Sequence, residues 1–380
     1  MKFLHTSDLH IGKTVHEFSM INEQSHILGQ IVDIATDELV DAVVIAGDIY
    51  DRSIPSTDAV NILDSFLTTL IDRKIKVILI SGNHDSPERV GFADRILEKQ
   101  GLFIGSTIEN ELKEVVFEDE YGKVNFVLLP FVKPAVVNAG SSQEAVDILL
   151  EKKGYGKDSK KTGRNVLVTH FFVVGSKGEV PELSDSETSV NVGGLEQVSV
   201  DSFNAFDYVA LGHIHKPQKI GTGHCYYTGS PLKYSFSECN QVKSVNIVTM
   251  EKEISVKQVA VIPIHEMRRI KGKLEEIIRP EVVGAAPFDD YIHATLTDEE
   301  ELIDPIGTLR SVYPNVMQIS LQKNELKGNM QYETKINVQG KSTMDLFREF
   351  YQLVREEPLD EMREQIVADT LKKAGKEDVL

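Results

Sequence analysis

The sequence predicts a layered α/β fold, and three observations carry that prediction. Short, apolar, partly β-branched runs alternate with longer stretches whose apolar residues recur at helical spacing. Small polar clusters rich in Asp, His and Asn follow directly on several of the short runs. After about residue 262 the pattern changes, as expected where a second unit with its own core begins.

In chain order, Lys2 to Thr6, Ala42 to Ala46 and Val77 to Ile80 read as buried strands. Ile21 to Val40 and Ser56 to Arg73 read as the intervening helices, with Ser56 as N-cap behind Pro55. Strand, helix, strand in that order is the signature of an α/β layer. Further strands are expected at Val124 to Leu129, Asn165 to Thr169, Tyr208 to Leu211 and Val245 to Val248. Gly154 to Gly163 and Gly175 to Gly194 are polar and read as surface loops. Met267 to Ile278, Asp290 to Leu296, Ile303 to Val312 and Val316 to Leu321 suggest a small α/β unit. Residues 343 to 357 and 359 to 374 read as two amphipathic helices separated at Pro358. The expected division is therefore 1–262, 263–340 and 341–380.

Composition narrows the class. With 41% hydrophobic and 26% charged residues the chain matches an ordinary globular enzyme. No apolar run approaches the roughly 20 residues that span a bilayer, and the N-terminal MKFLHTSDLH turns polar too early for a signal peptide. Cys225 and Cys239 form no disulfide framework and no CxxC pair. A cytoplasmic location is the expectation. The net charge of −18 is unusual for a chain that grips DNA alone, because phosphate neutralisation supplies much of such affinity. A DNA substrate would then need bound cations or a partner's basic surface.

Five clusters hold the chemistry: Asp8 and His10 in a DxH, Asp48 in a GD, Asn83, His84 and Asp85 in a GNHD, His170 alone, and His213 and His215 in a GHxH. Each lies at or just past the end of a strand-like run, where ligands bind in layered α/β sheets. Singly, a DxH also fits a turn aspartate beside a half-buried histidine, and a GD fits a helix cap. In an extended backbone Asp8 and His10, like His213 and His215, would point to one side. Asn83 and His84 are adjacent and would face apart, Asn83 toward a metal and His84 toward substrate. Carboxylate, imidazole and amide donors without thiolate suit manganese, iron or zinc. Two divalent ions bring +4 against −2 from Asp8 and Asp48, leaving about +2 to hold a phosphodiester.

The order DxH, GD, GNHD, lone His, GHxH resembles the calcineurin-like metallophosphoesterase superfamily. Within it, TSDLHIGK, GDIYDRSIPS, SGNHDSPERV, LGHIHKPQ and YTGSPLKYSFSE resemble the SbcD-type nuclease subunits, closely over roughly residues 1 to 260 and more loosely beyond. The resemblance implies a layered metallophosphoesterase β-sandwich flanked by helices, a small α/β capping domain and C-terminal helices. It implies two divalent ions, most often Mn2+, one held by Asp8, His10, Asp48 and His215, the other by Asp48, Asn83, His170 and His213. Asp48 would bridge them, His84 would protonate the leaving oxygen or stabilise its charge, and Asp85 would orient the His84 ring. The implied reaction is 3′ to 5′ exonuclease and endonuclease cleavage of DNA in repair and recombination. The implied assembly is a homodimer within a heterotetramer with an SbcC-type, SMC-like ATPase and no membrane. Met344, Phe347, Phe350, Tyr351 and Val354 offer an apolar helix face for docking it or for packing on the small domain. Arg268, Arg269, Lys271 and Lys273 form a basic run that reads as a solvated face. The competing readings are a small-phosphoester or cyclic-nucleotide phosphoesterase and a non-catalytic scaffold. The unbroken set of candidate ligands argues against the scaffold.

Overall fold

A computed structural model describes the chain except residues 109–110, 158, 160–162, 188–195, 222, 301, 323–341, 356–357 and 374–380. Parts of both expected loops, and the expected boundary at 340/341, fall outside the described residues.

Two six-stranded sheets form the body. The first runs Ile254–Ala260, Ser244–Met250, Lys2–Thr6, Ala42–Ala46, Lys76–Ile80, Leu102–Gly105, parallel from Lys2–Thr6 onward. The second runs Gln218–Ile220, Cys225–Tyr227, Tyr208–Gly212, Arg164–His170, Gly122–Leu129, Lys113–Asp119. Its four central strands are parallel. Alternation along each strand explains how the sheets pair. Phe3, Ala42, Val44, Ala46, Ile78 and Ile80 meet Phe126, Val166, Val168, Tyr208 and Ala210 in the core between the sheets. Leu4, Val43, Ile45, Val77 and Leu79 point outward under the helices Ile21–Asp37 and Thr57–Asp72. Leu167, Val209 and Leu211 face outward on the second sheet, beneath Ser142–Lys153. Central strands are thus covered on both faces, which is why they read as continuous apolar runs. The helix expected to reach Val40 ends at Asp37, with the chain leaving through Leu39 at φ 53°. Ser56 caps its helix by accepting from the Ala59 amide at 3.2 Å.

The carboxyl ends of the parallel strands of both sheets lie at one end of the sandwich. Their contact is direct: the His170 ring, at the end of Arg164–His170, donates from Nδ1 to the Ala46 carbonyl at 2.8 Å. A third sheet, Met267–Gly272, Tyr291–Leu296 and Val316–Leu321, is wholly parallel, with its own core of Ile277, Ile292, Leu296, Leu309 and Tyr313. It belongs to the same compact unit as the two large sheets, Met1–Asn324.

The second unit, Glu325–Leu380, contains the helices Thr343–Arg355 and Glu361–Lys373. Arg348 ion-pairs with Glu364, and Arg363 donates to the Tyr351 hydroxyl at 2.7 Å, tying the two helices together. Phe350 is 56% exposed, whereas Met344, Phe347 and Tyr351 are half-buried; the side chain of Val354 lies outside the described residues. Among the described residues no helix is long and apolar enough to cross a membrane.

Candidate metal centre

Each predicted cluster leaves the end of a strand and turns into the same space. Ser7 and Asp8 follow Lys2–Thr6, Asp48 follows Ala42–Ala46, and Asn83 follows Lys76–Ile80. His170 ends its strand, and His213 follows Tyr208–Gly212. The local conformation differs from the expected extended pairs. Asp8, His10, Asp48 and His213 have φ of 52°, 43°, 49° and 100°. Non-glycine residues adopt such values only where surrounding contacts over-determine them. Here the fixing contacts are visible. The amides of Asp8 and His10 donate to the carbonyls of Gly47 and Asp48 at 3.1 and 3.0 Å. The His213 amide donates to Asp8 Oδ1 at 2.9 Å, and the His84 amide to Asp48 Oδ1 at 2.9 Å. The buried Gln24 pins the following turn, donating to the His10 carbonyl at 2.7 Å and accepting from the Gly12 amide at 2.9 Å.

The donor atoms come together. His10 Nε2 lies 3.1 Å from His215 Nε2 and 3.6 Å from Asp48 Oδ2. The same Asp48 oxygen lies 3.4 Å from His170 Nε2. Asn83 Oδ1 lies 3.0 Å from both His170 Nε2 and His213 Nδ1. Asp48 therefore stands between two groups of donors. Asp8, His10 and His215 bring ligand atoms within 4.8 Å of one another, as do Asp8, Asp48 and His170.

Electrostatics suit cations. Asp8, His10, Asp48, His170, His213 and His215 are all buried. Burial lowers His10 and His213 to about 3 and takes His215 well below its ordinary value, so each keeps a lone pair at neutral pH. Burial also pushes the Asp8 carboxyl up to about 7. For Asp48 burial acts upward as well, but the charge and hydrogen bond of His170 hold it well below the carboxylate range. His170 rises to about 9 against its burial because Asp48 sits beside it. The Asp48 carboxylate that raises His170 is the charge a divalent ion between them would satisfy. His10 Nδ1 is buried with no hydrogen-bond partner among the described residues. Buried imidazoles and carboxylates in this number, without thiolate, fit divalent cations.

His84, exposed like Asn83 beside it, stands at the mouth. Its Nδ1–H donates to the Asp51 carbonyl at 2.9 Å, leaving Nε2 free, and its ring stands 4.8 Å from that of His10. The expected role of Asp85 is corrected. Its carboxylate does not touch the His84 ring; it accepts the amides of Ile49 at 3.0 Å, Tyr50 at 2.9 Å and Gly82 at 2.9 Å. Asp85 ties the turn that carries Asp48 to the turn that carries Asn83. Sequence reasoning also missed the buried groups behind His215: Glu187, Glu238 and Lys243. Glu187 lies in the segment read as a surface loop, yet its carboxylate accepts the His215 amide.

Two apposed sheets whose strand ends carry this cluster define a metallophosphoesterase. The chain belongs to the calcineurin-like phosphoesterase family, whose sequence profile matches residues 1–217. A second profile, described as the type 5 capsule protein repressor C-terminal domain, matches residues 263–355. The SbcD subunit of the nuclease SbcCD from Staphylococcus epidermidis is 32% identical over 373 residues, which are 96% of this chain and 96% of that one. Among solved structures, that of TT1561 of Thermus thermophilus aligns with 14% identity and a TM-score of 0.38, covering 68% of this chain and 98% of that chain.

Proposed function

We propose that the chain is the nuclease subunit of an SbcCD-type complex and hydrolyses DNA phosphodiesters with two divalent ions, manganese in the first instance. The observation that carries this is the cluster of seven oxygen and nitrogen donors at the sheet ends, within a chain that aligns along 96% of its length with an SbcD nuclease subunit. Asp48 would be shared between the ions, with Asp8, His10 and His215 holding one and Asn83, His170 and His213 the other. When bound, the ions supply Lewis-acid polarisation of the phosphodiester and an acidified water. His84 does the remaining proton work. With Nδ1–H held by the Asp51 carbonyl, its Nε2 faces the mouth and serves the leaving oxygen. Asp85 acts at one remove, holding the Asp48 and Asn83 turns in register.

The chain's net charge of −18 argues that DNA is gripped with help. The partner in this reading is an SbcC-type, SMC-like ATPase, docked by the helices after residue 341, in a heterotetramer built on a homodimer of this chain in the cytoplasm. The domain division is 1–262 for the nuclease, 263–340 for the cap and 341–380 for docking. The test is digestion of duplex DNA with free and blocked 3′ ends in Mn2+, set against release of phosphate from nucleotides and opening of cyclic nucleotides. Shortened duplexes support the proposal. A chain that cleaves only small phosphoesters contradicts it.

A further inference from the structure

His215 is held at its ring, its amide and its carbonyl by residues outside the cluster. Its ring Nδ1 lies 2.9 Å from Ser186 Oγ, and Ser186 Oγ lies 2.9 Å from Glu238 Oε1 and 2.7 Å from Ser184 Oγ. The donors and acceptors can be counted. A carboxylate only accepts, so the single hydroxyl proton of Ser186 goes to Glu238. Its two lone pairs then accept the Ser184 hydroxyl and the His215 Nδ1–H. That assignment fills every site on Ser186 and leaves the His215 Nε2 lone pair directed at His10 Nε2, 3.1 Å away.

The backbone of His215 closes the same circuit. Glu187 Oε1 accepts its amide, while Glu187 Oε2 accepts the Ser184 amide at 2.8 Å. Lys243 Nζ donates to the His215 carbonyl at 2.8 Å, to Ser230 Oγ at 3.1 Å and to Gln241 Oε1 at 3.0 Å. Lys243 also ion-pairs with Glu238 Oε2 at 2.6 Å, with both side chains almost fully buried. A buried ion pair is a weak source of stability, since desolvation offsets the attraction. Its connection to the His215 carbonyl through Lys243, and to the ring Nδ1 through Glu238 and Ser186, gives it a different use. His10 provides the contrast: its Nδ1 has no hydrogen-bond partner among the described residues.

We propose that Ser184, Ser186 and Glu187, together with the buried Glu238–Lys243 pair, form a clamp that fixes the tautomer and orientation of His215 and so sets the affinity of one of the two ion sites. These are positioning residues, and the proposal rests on the reading of His215 as a ligand. Partners of this kind behind a ligating histidine typically carry about 10–100-fold in metal affinity.

Two measurements test it. In the metal-free protein, long-range 1H–15N spectra of the histidine rings at pH 8, with His215 identified by its loss in His215→Gln, read the tautomer without any ion. Wild type is expected to show His215 protonated at Nδ1, Ser186→Ala to lose that signature, and Ser186→Thr, which keeps the hydroxyl, to retain it. In Mn2+ calorimetry Ser186→Ala is expected to weaken one site about 10–100-fold and leave the other unchanged, with Ser186→Thr near wild type. An unchanged His215 signature in Ser186→Ala overturns the clamp, as does an unchanged affinity at both sites. A wild-type chain that binds no Mn2+ overturns the phosphoesterase reading instead, while the ring spectra still decide whether the clamp exists.

Discussion

Gly212→Ala is the sharpest steric probe of how the two sheets build the site. The added Cβ would stand 2.6 Å from His170 Nδ1 and 3.0 Å from the Ala46 carbonyl carbon, and closer still to the Ala46 oxygen. Ordinary contact begins near 3.4 Å, so the Ala46 carbonyl oxygen must yield most and the His170 ring by about 0.8 Å. Donor and acceptor of the 2.8 Å bond from His170 to the Ala46 carbonyl are thus both displaced by the same methyl group, and the bond is expected to break. Overpacking costs about 1–3 kcal/mol and the lost bond about 1 kcal/mol, so the expected destabilisation is about 2–4 kcal/mol. Misplacing His170 should also weaken Mn2+ binding about 10–100-fold. Urea unfolding in EDTA and Mn2+ calorimetry read the two effects separately. Gly29→Ala is the control: it lies inside Ile21–Asp37, a Cβ there meets nothing within 4 Å, and stability should rise by about 0.5–1 kcal/mol. Wild-type stability together with wild-type Mn2+ affinity in Gly212→Ala would refute the close approach of the two sheets at the site.

Three further outcomes follow from the same geometry. His84→Gln should leave Mn2+ binding intact and slow DNA cleavage roughly 10²–10⁴-fold; unchanged turnover removes His84 from the chemistry. Asp85→Ala orphans three amides and should weaken Mn2+ binding about tenfold or more, whereas an effect on turnover alone would restore the ring-orienting role. His5 is fully buried between the sheets, and burial lowers it to about 3. A depressed folded-state value means its stabilising share is present above the unfolded value of about 6.5 and is lost as pH falls toward 3. Between pH 7 and pH 5 that amounts to about 2 kcal/mol. Urea unfolding of metal-free wild type and His5→Asn at both pH values should show that much less acid sensitivity in the variant; equal slopes contradict it.

The large sheets were legible because their central strands are buried on both faces, so Ala42–Ala46 and Tyr208–Gly212 announce themselves as apolar runs. Lys113–Asp119 and Ile254–Ala260 escaped notice. Both are sheet edges, where exposed charged and polar residues interrupt the apolar pattern. The candidate ligands were legible by residue type and spacing, but the path of the backbone was not. Asp8, His10, Asp48 and His213 enter the site through left-handed turns, set by amides and carbonyls of segments remote in sequence. Local spacing cannot encode such turns in non-glycine residues. Asp85 was assigned to its sequence neighbour His84, although its true partners, Ile49 and Tyr50, lie some 35 positions away. Ser186, Glu187, Glu238 and Lys243 carry no periodic signal, and their meaning appears only once the chain has brought them behind His215.

The most direct test of the account is the number of Mn2+ ions bound per chain, by calorimetry and elemental analysis, in wild type and in Asp48→Ala. One carboxylate oxygen lies 3.6 Å from His10 Nε2 and 3.4 Å from His170 Nε2, so its removal should cripple both sites together. Two ions in wild type and none retained by Asp48→Ala is the predicted result. Two ions retained at wild-type affinity without Asp48 would contradict a shared centre.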